Sequence, residues 1–176
     1  MVTLILTKTE DTKIEKIMKK IISLFSLVMV LLLGSCIEQN YPIWEGAEVE
    51  FQDAVVRTPT PGQTFPRIAI GNDVGAVNLQ VNLVARQRPN DETINYRVVP
   101  EQTTAVQGTD FNVSGSLVIP ANSSFGTVTV DILNTGAIGG FVDVMIELEG
   151  NSDIIASENY KQVQLRITRP NPPEED

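Results

Sequence analysis

Few side chains in this sequence carry reactive chemistry. Cys36 is the only Cys among 176 residues, and there is no His at all. The absence of His removes the commonest general base and proton shuttle, the Ser–His and Cys–His nucleophile pairs, and the usual transition-metal ligand. A lone Cys allows no intrachain disulfide. No glycine pattern stands between a strand and a helix, so no phosphate cradle is visible. Acid pairs are the remaining candidates for catalysis, because two carboxylates can share general acid and base work in glycoside chemistry. Asp143, Glu147 and Glu149 stand at period two on one strand face. That is also how any solvated strand looks. The residues predict a protein that is not an enzyme and needs no cofactor.

Cys36 has a more specific setting. Ile21 to Leu33 is an uncharged run of 13 residues behind Lys19 and Lys20. This is the basic and apolar pattern of an export signal, too short to span a bilayer as a helix. Leu33-Gly34-Ser35-Cys36 follows directly. Small residues before the cut admit the extended backbone to a peptidase cleft. The Cys thiol is the one strong nucleophile there that can accept a diacylglycerol. The string resembles the lipobox of bacterial lipoproteins, which implies palmitate-type acylation at Cys36 and a membrane contact through that lipid. Two ester-linked chains and one amide-linked chain hold stably, whereas a single chain binds marginally. The plainer readings are a cleaved secretory signal with an incidental Cys, or a short membrane anchor. Met18 suits the start of such a signal, with residues 1–17 as an extension. Ile37 after the Cys favours the outer membrane, on its periplasmic face or at the cell surface.

The expected organisation is therefore a signal peptide over 1–35, a tether over 36–46, a domain over 47–169 and a disordered acidic tail over 170–176. The whole chain has 22 acids and 13 bases. Residues 1–35 hold five Lys and three acids, leaving 19 acids and 8 bases, a net charge of −11. Phosphate backbones repel such a chain, so nucleic acid is excluded as a partner. In the tether, Tyr41 and Trp44 read either as packing on the nearest sheet or as an aromatic contact for a glycan or membrane interface.

Beyond Gly46 the hydrophobic period is two. Val49, Phe51 and Val55 alternate with polar residues, and the Pro-rich stretch from Thr58 to Gly62 then breaks the pattern. Ile68 and Ile70 follow Pro66. Val77, Leu79, Val81 and Leu83 form the clearest strand. Ile94, Tyr96 and Val98 come next, ending near Pro100. Leu117 and Ile119 run to Pro120, and Ala121 to Gly126 turns the chain into Val128, Val130 and Ile132. Val142, Val144, Ile146 and Leu148 alternate with Asp143, Met145, Glu147 and Glu149 as far as Gly150-Asn151. Val163, Leu165 and Ile167 make the last strand. No helical period follows Cys36. Seven or eight short strands, each with one wet face, predict an all-β antiparallel sandwich.

Thr104-Ala105, Gly108-Thr109-Asp110-Phe111, Gly115 to Pro120 and Val128-Thr129-Val130 together resemble the Calx-β domain. The strand ending Val81-Asn82-Leu83-Val84-Ala85-Arg86 is similar to that family's second strand, and the likeness covers residues 66–169. It implies an Ig-like, Calx-β-like sandwich. With the lipobox, the chain is similar to small Calx-β-like lipoproteins of Bacteroidota, several of which accompany glycan-uptake systems. Physically, Gly108 and Gly115 supply the freedom of tight turns, Asp110 locks its loop by accepting backbone hydrogen bonds, and Phe111 plugs the core. Asp110 thus reads as structural rather than as a metal ligand.

Calx-β domains of the sodium–calcium exchanger type bind Ca²⁺ through acids clustered at one end, and Ca²⁺ needs six to eight oxygen ligands. The loop that carries most of those acids corresponds here to Asn134–Gly140, which has no carboxylate. Other family acids fall at Gln102 or Thr103, with Glu101 misplaced, and near Gly71-Asn72, with Asp73 beyond. The metal site reads as lost. The expectation is a lipid-anchored binding or accessory module for an envelope protein or glycan. The alternatives are an adhesive or structural subunit pairing by strand addition, and a calcium-binding module.

Overall fold

The computed structural model describes residues 15–27, 45–136 and 138–169. These fall into two units, one ending before and one beginning near Trp44, and each is described by itself. In the first, residues 15–27 form helix α1, with an exposed Glu15–Lys19 ion pair one turn apart. Cys36, Tyr41, Trp44 and the expected tail over 170–176 lie outside the described residues.

The second unit is all-β. Its strands are β1 (Glu48–Phe51), β2 (Arg67–Gly71), β3 (Ala76–Val84), β4 (Glu92–Val98), β5 (Phe111–Asn112), β6 (Ser116–Ile119), β7 (Phe125–Ile132), β8 (Phe141–Gly150), β9 (Ile155–Ala156) and β10 (Gln162–Thr168). Eight of them have four or more residues, and β5 and β9 have two each. They form one continuous sheet in the order β2-β10-β8-β9-β1-β3-β7-β5, with β4 and β6 branching from β8. The sheet folds back on itself, because the inward residues of both arms meet in one core. Val49, Phe51, Leu79, Val81, Val128 and Val130 come from one arm. Ile94, Leu117, Val144, Ile146, Leu165 and Ile167 come from the other. Each is at most 4% exposed, which only alternate positions on two facing sheets achieve. At the junction of β8 and β9, Gly150 has φ +82°, and an added Cβ would overlap the Ile154 carbonyl.

Several expectations need correction. The sandwich is not wholly antiparallel: β1 pairs β9 and β2 pairs β10 in parallel. Parallel neighbours require a long connection, and here nearly the whole domain lies between each pair. Val55 is not in a strand. After Phe51 the next inward position would be the charged Asp53, and the chain instead turns into a short helix, α2 (Gln52–Val56). The helix buries Ala54, leaves Val55 exposed, and carries an Asp53–Arg57 ion pair of 2.6 Å. Met145 does not face water. It is wholly buried on the outer side of β8 with Phe65 and Val99, because the Pro-rich loop before β2 covers that face. The turn expected over Ala121 to Gly126 ends earlier, since β7 already begins at Phe125.

Strand registers place the ends of β2, β7 and β10 and the starts of β3 and β8 at one pole, through the pairs Ala76–Asp131, Phe141–Thr168 and Gly71–Thr168. The chain enters β1 at the opposite pole, where Glu48 pairs with Val84.

Candidate functional site

The residues singled out around Asp110 gather at the pole of loops. Gly108 has φ +83° and donates its N–H to the Phe111 carbonyl at 2.9 Å. That tight loop drives Phe111, 1% exposed, into the core. Gly115, at φ +86°, accepts from the Tyr96 N–H at 3.0 Å and starts the approach to β6. Asp110 is only 2% exposed. Its Oδ2 accepts the Val106 N–H at 2.8 Å, and its backbone N–H donates to the Val106 carbonyl at 2.8 Å. Its other carboxylate oxygen pairs with the guanidinium of Arg169, just past the end of β10. Gly136 closes over this pair: a Cβ there would collide with Asp110 Oδ1 and stand 2.8 Å from Arg169 Nη2.

The surrounding loops are tied together. Asn72 donates to Asn134 at 2.6 Å, Thr135 donates to the Thr109 carbonyl at 2.5 Å, and the Leu133 N–H reaches the Asp110 carbonyl at 2.8 Å. Chemically this is a buried carboxylate with both oxygens engaged, one by the backbone and one by an arginine. Among the described residues, no three or more acids, Cys or His converge as a metal would require. Glu101 is exposed on the short 3₁₀ turn Pro100–Gln102, and Asp73 is exposed in the loop after β2.

The three acids of β8 do share its outer face, and each stands beside an arginine. Asp143 lies opposite Arg166 of β10, which donates from Nε and Nη2 at 2.8 Å each. Glu147 lies opposite Arg97 of β4 at 2.7 Å, and Glu149 is 3.5 Å from the same guanidinium. Burial pushes the Glu147 carboxyl up, but hydrogen bonds from Arg97 and Gln162, with the charges of Arg97 and Lys161, outweigh it and hold the group below the usual carboxylate range. The hydrogen bond to Glu147 raises Arg97, and that to Asp143 raises Arg166. The guanidinium of Arg166 also lies 3.6 Å from the ring centre of the exposed Phe141. Asp143–Arg166 and Glu147–Arg97 are cross-strand ion pairs at directly opposed positions, the arrangement that stabilises a sheet. Sequence reading located the acids but not their partners. Arg169, Gly136 and Arg97 carry no local signal, since register alone brings them to Asp110 and Glu147.

No family model matches the chain, and no curated protein matches it. Solved structures do. The apo-form Calx CBD1 domain superposes with a TM-score of 0.53 at 15% identity, covering 72% of this chain and 100% of that one. The Calx CBD2 domain gives 0.52 at 16% identity, covering 72% and 91%. A two-domain protein of unknown function from Bacteroides fragilis gives 0.50 at 9% identity, with this chain spanning 46% of its length. At these identities the likeness concerns the fold, which is Calx-β-like and all-β.

Proposed function

We propose that this chain is a non-catalytic binding or accessory module of the cell envelope, held at the outer membrane by lipid on Cys36 and associated with glycan uptake. The observation that carries the reading is the string Leu33-Gly34-Ser35-Cys36 directly behind an uncharged 13-residue run, with Cys36 the only Cys of the chain. Among the described residues, no helix is long and apolar enough to cross a membrane. A lipid would then supply the attachment. A non-catalytic role is supported by the lack of His and by the pairing of the β8 acids with Arg97 and Arg166. Calcium binding, the third alternative, is disfavoured because Arg169 supplies the counter-charge to the buried Asp110.

The test is metabolic labelling with palmitate followed by membrane fractionation. The full chain should carry label and sediment with outer-membrane density. Cys36→Ala should be unlabelled and leave that fraction. Label that persists in Cys36→Ala overturns the reading.

A further inference from the structure

The Pro-rich loop before β2 and the segment joining β9 to β10 enclose a cleft of about 490 Å³. That size lies within the range of small-molecule sites, roughly 300–1,000 Å³. Pro59 and Thr64 line one wall, and Glu158, Asn159, Tyr160 and Lys161 line the other. Both walls are fixed by the backbone. In the loop, the Gln63 N–H donates to the Thr60 carbonyl at 2.8 Å and the Thr60 N–H to the Phe65 carbonyl at 3.0 Å. Phe65 is anchored beneath, 4% exposed, against Met145 and Val99. Opposite, the Tyr160 carbonyl accepts from the Phe51 N–H and the Lys161 carbonyl from the Leu148 N–H, each at 2.9 Å. Gln162 closes the floor with its amide donating to Glu147. A cleft held this way loses little entropy when a ligand enters.

Its chemistry narrows the ligand. Among the described residues, the side chains of Thr64, Glu158, Asn159, Tyr160 and Lys161 make no hydrogen bond or ion pair. The wall thus offers a hydroxyl, a carboxylate, an amide, a phenol and an ammonium, donors and acceptors intermixed, beside the apolar surfaces of Pro59 and the Tyr160 ring. An apolar ligand would strip water from these groups without replacing its hydrogen bonds. An anion would meet Glu158 on a chain of net charge −9. A peptide that binds by strand addition needs a free strand edge, and the cleft is walled by loops. A ring that bears many hydroxyls and has an apolar face satisfies both kinds of surface at once.

We propose that this cleft binds one or two residues of a neutral oligosaccharide, with Tyr160 as the stacking platform and Asn159, Glu158 and Thr64 engaging ring hydroxyls. The proposal deepens the binding-module reading and rests on it for its setting. The test uses the full chain in phosphatidylcholine nanodiscs, free of sugar-based detergent. It is titrated calorimetrically with maltotetraose, cellotetraose, xylotetraose and N,N′-diacetylchitobiose. At least one should bind, and Tyr160→Ala and Asn159→Ala should each weaken it at least tenfold without moving the unfolding midpoint. Asp131→Asn, at the pole of loops around Asp110, should leave binding unchanged. Failure of all four sugars to bind, or binding indifferent to Tyr160→Ala, overturns the proposal. Palmitate label on Cys36 with no sugar binding would remove this cleft function alone. Sugar binding without label would remove the lipid anchor alone.

Discussion

Asp110 shows how much a single buried carboxylate can be asked to do. It is 2% exposed, it ties down the Val106 N–H, and it neutralises Arg169, itself largely enclosed. Removing one partner of a buried pair leaves the other charge uncompensated, a loss of about 3–5 kcal/mol. Asp110→Ala should therefore lower the unfolding free energy by roughly 3 kcal/mol, read by urea denaturation. The loss should be the same in calcium and in chelator, because the counter-charge is an arginine of the same chain. A deficit that appears only with calcium would show that a bound ion was lost instead. At this scale the local string was legible: Gly108, Asp110, Phe111 and Gly115 sit together in the sequence, and their turn chemistry is local. Arg169 was not, because it lies 59 residues from Asp110. Nothing in a charge at the end of a strand says which carboxylate it will meet.

Among the elements, periodicity was informative in proportion to strand length. β3 and β7, with nine and eight residues, alternate cleanly and were readable from composition alone. β5 and β9 have two residues each, too few to show a period. The burial of Met145 was hidden for another reason: it depends on a loop from elsewhere covering the outer face of β8. The two arms approach closely where β6 meets β7. A Cβ on Gly126 would collide with Leu117 Cδ1 and stand 2.9 Å from Ile119 Cγ1 and 3.0 Å from the Val118 carbonyl. Overpacking of this kind destabilises by about 1–3 kcal/mol. Gly126→Ala should lose that much in chemical denaturation, and Gly126→Val more. The cross-strand pair of Arg97 and Glu147 gives a pH signature. The Glu147 carboxyl is held below its ordinary value in the folded state, so its stabilisation is present above the unfolded value, about 4.3, and vanishes as pH falls through the folded one. Glu147→Gln should cost roughly 1 kcal/mol at pH 7, and the gap from the parent chain should close toward pH 3. A gap that widens in acid would mean the sign of the coupling is wrong.

For the whole molecule, the question is whether residues 45–169 stand alone. Among the described residues, every member of the main core lies between Val49 and Ile167, and both arms of the sheet contribute. With a single Cys at position 36, no disulfide contributes. A domain of this length buries roughly two thirds of the surface its unfolded chain exposes, enough for one cooperative core. The stretch from Ile37 to Gly46 reads as a tether, and the chain enters β1 at the pole opposite the loops around Asp110. Limited proteolysis should therefore cut between Cys36 and Gly46 and release an intact fragment beginning near Glu45. That fragment should unfold in one transition, with a midpoint within about 2 °C of the uncut chain, since a 1 kcal/mol change moves the midpoint by roughly 4–8 °C in a domain of 60–100 residues and about 2–4 °C in a larger one. Adding chelator or reductant should not shift it. A midpoint lowered by more than this on release would mean that residues before Glu45 contribute to the core, and the division of the chain at the tether would have to be redrawn.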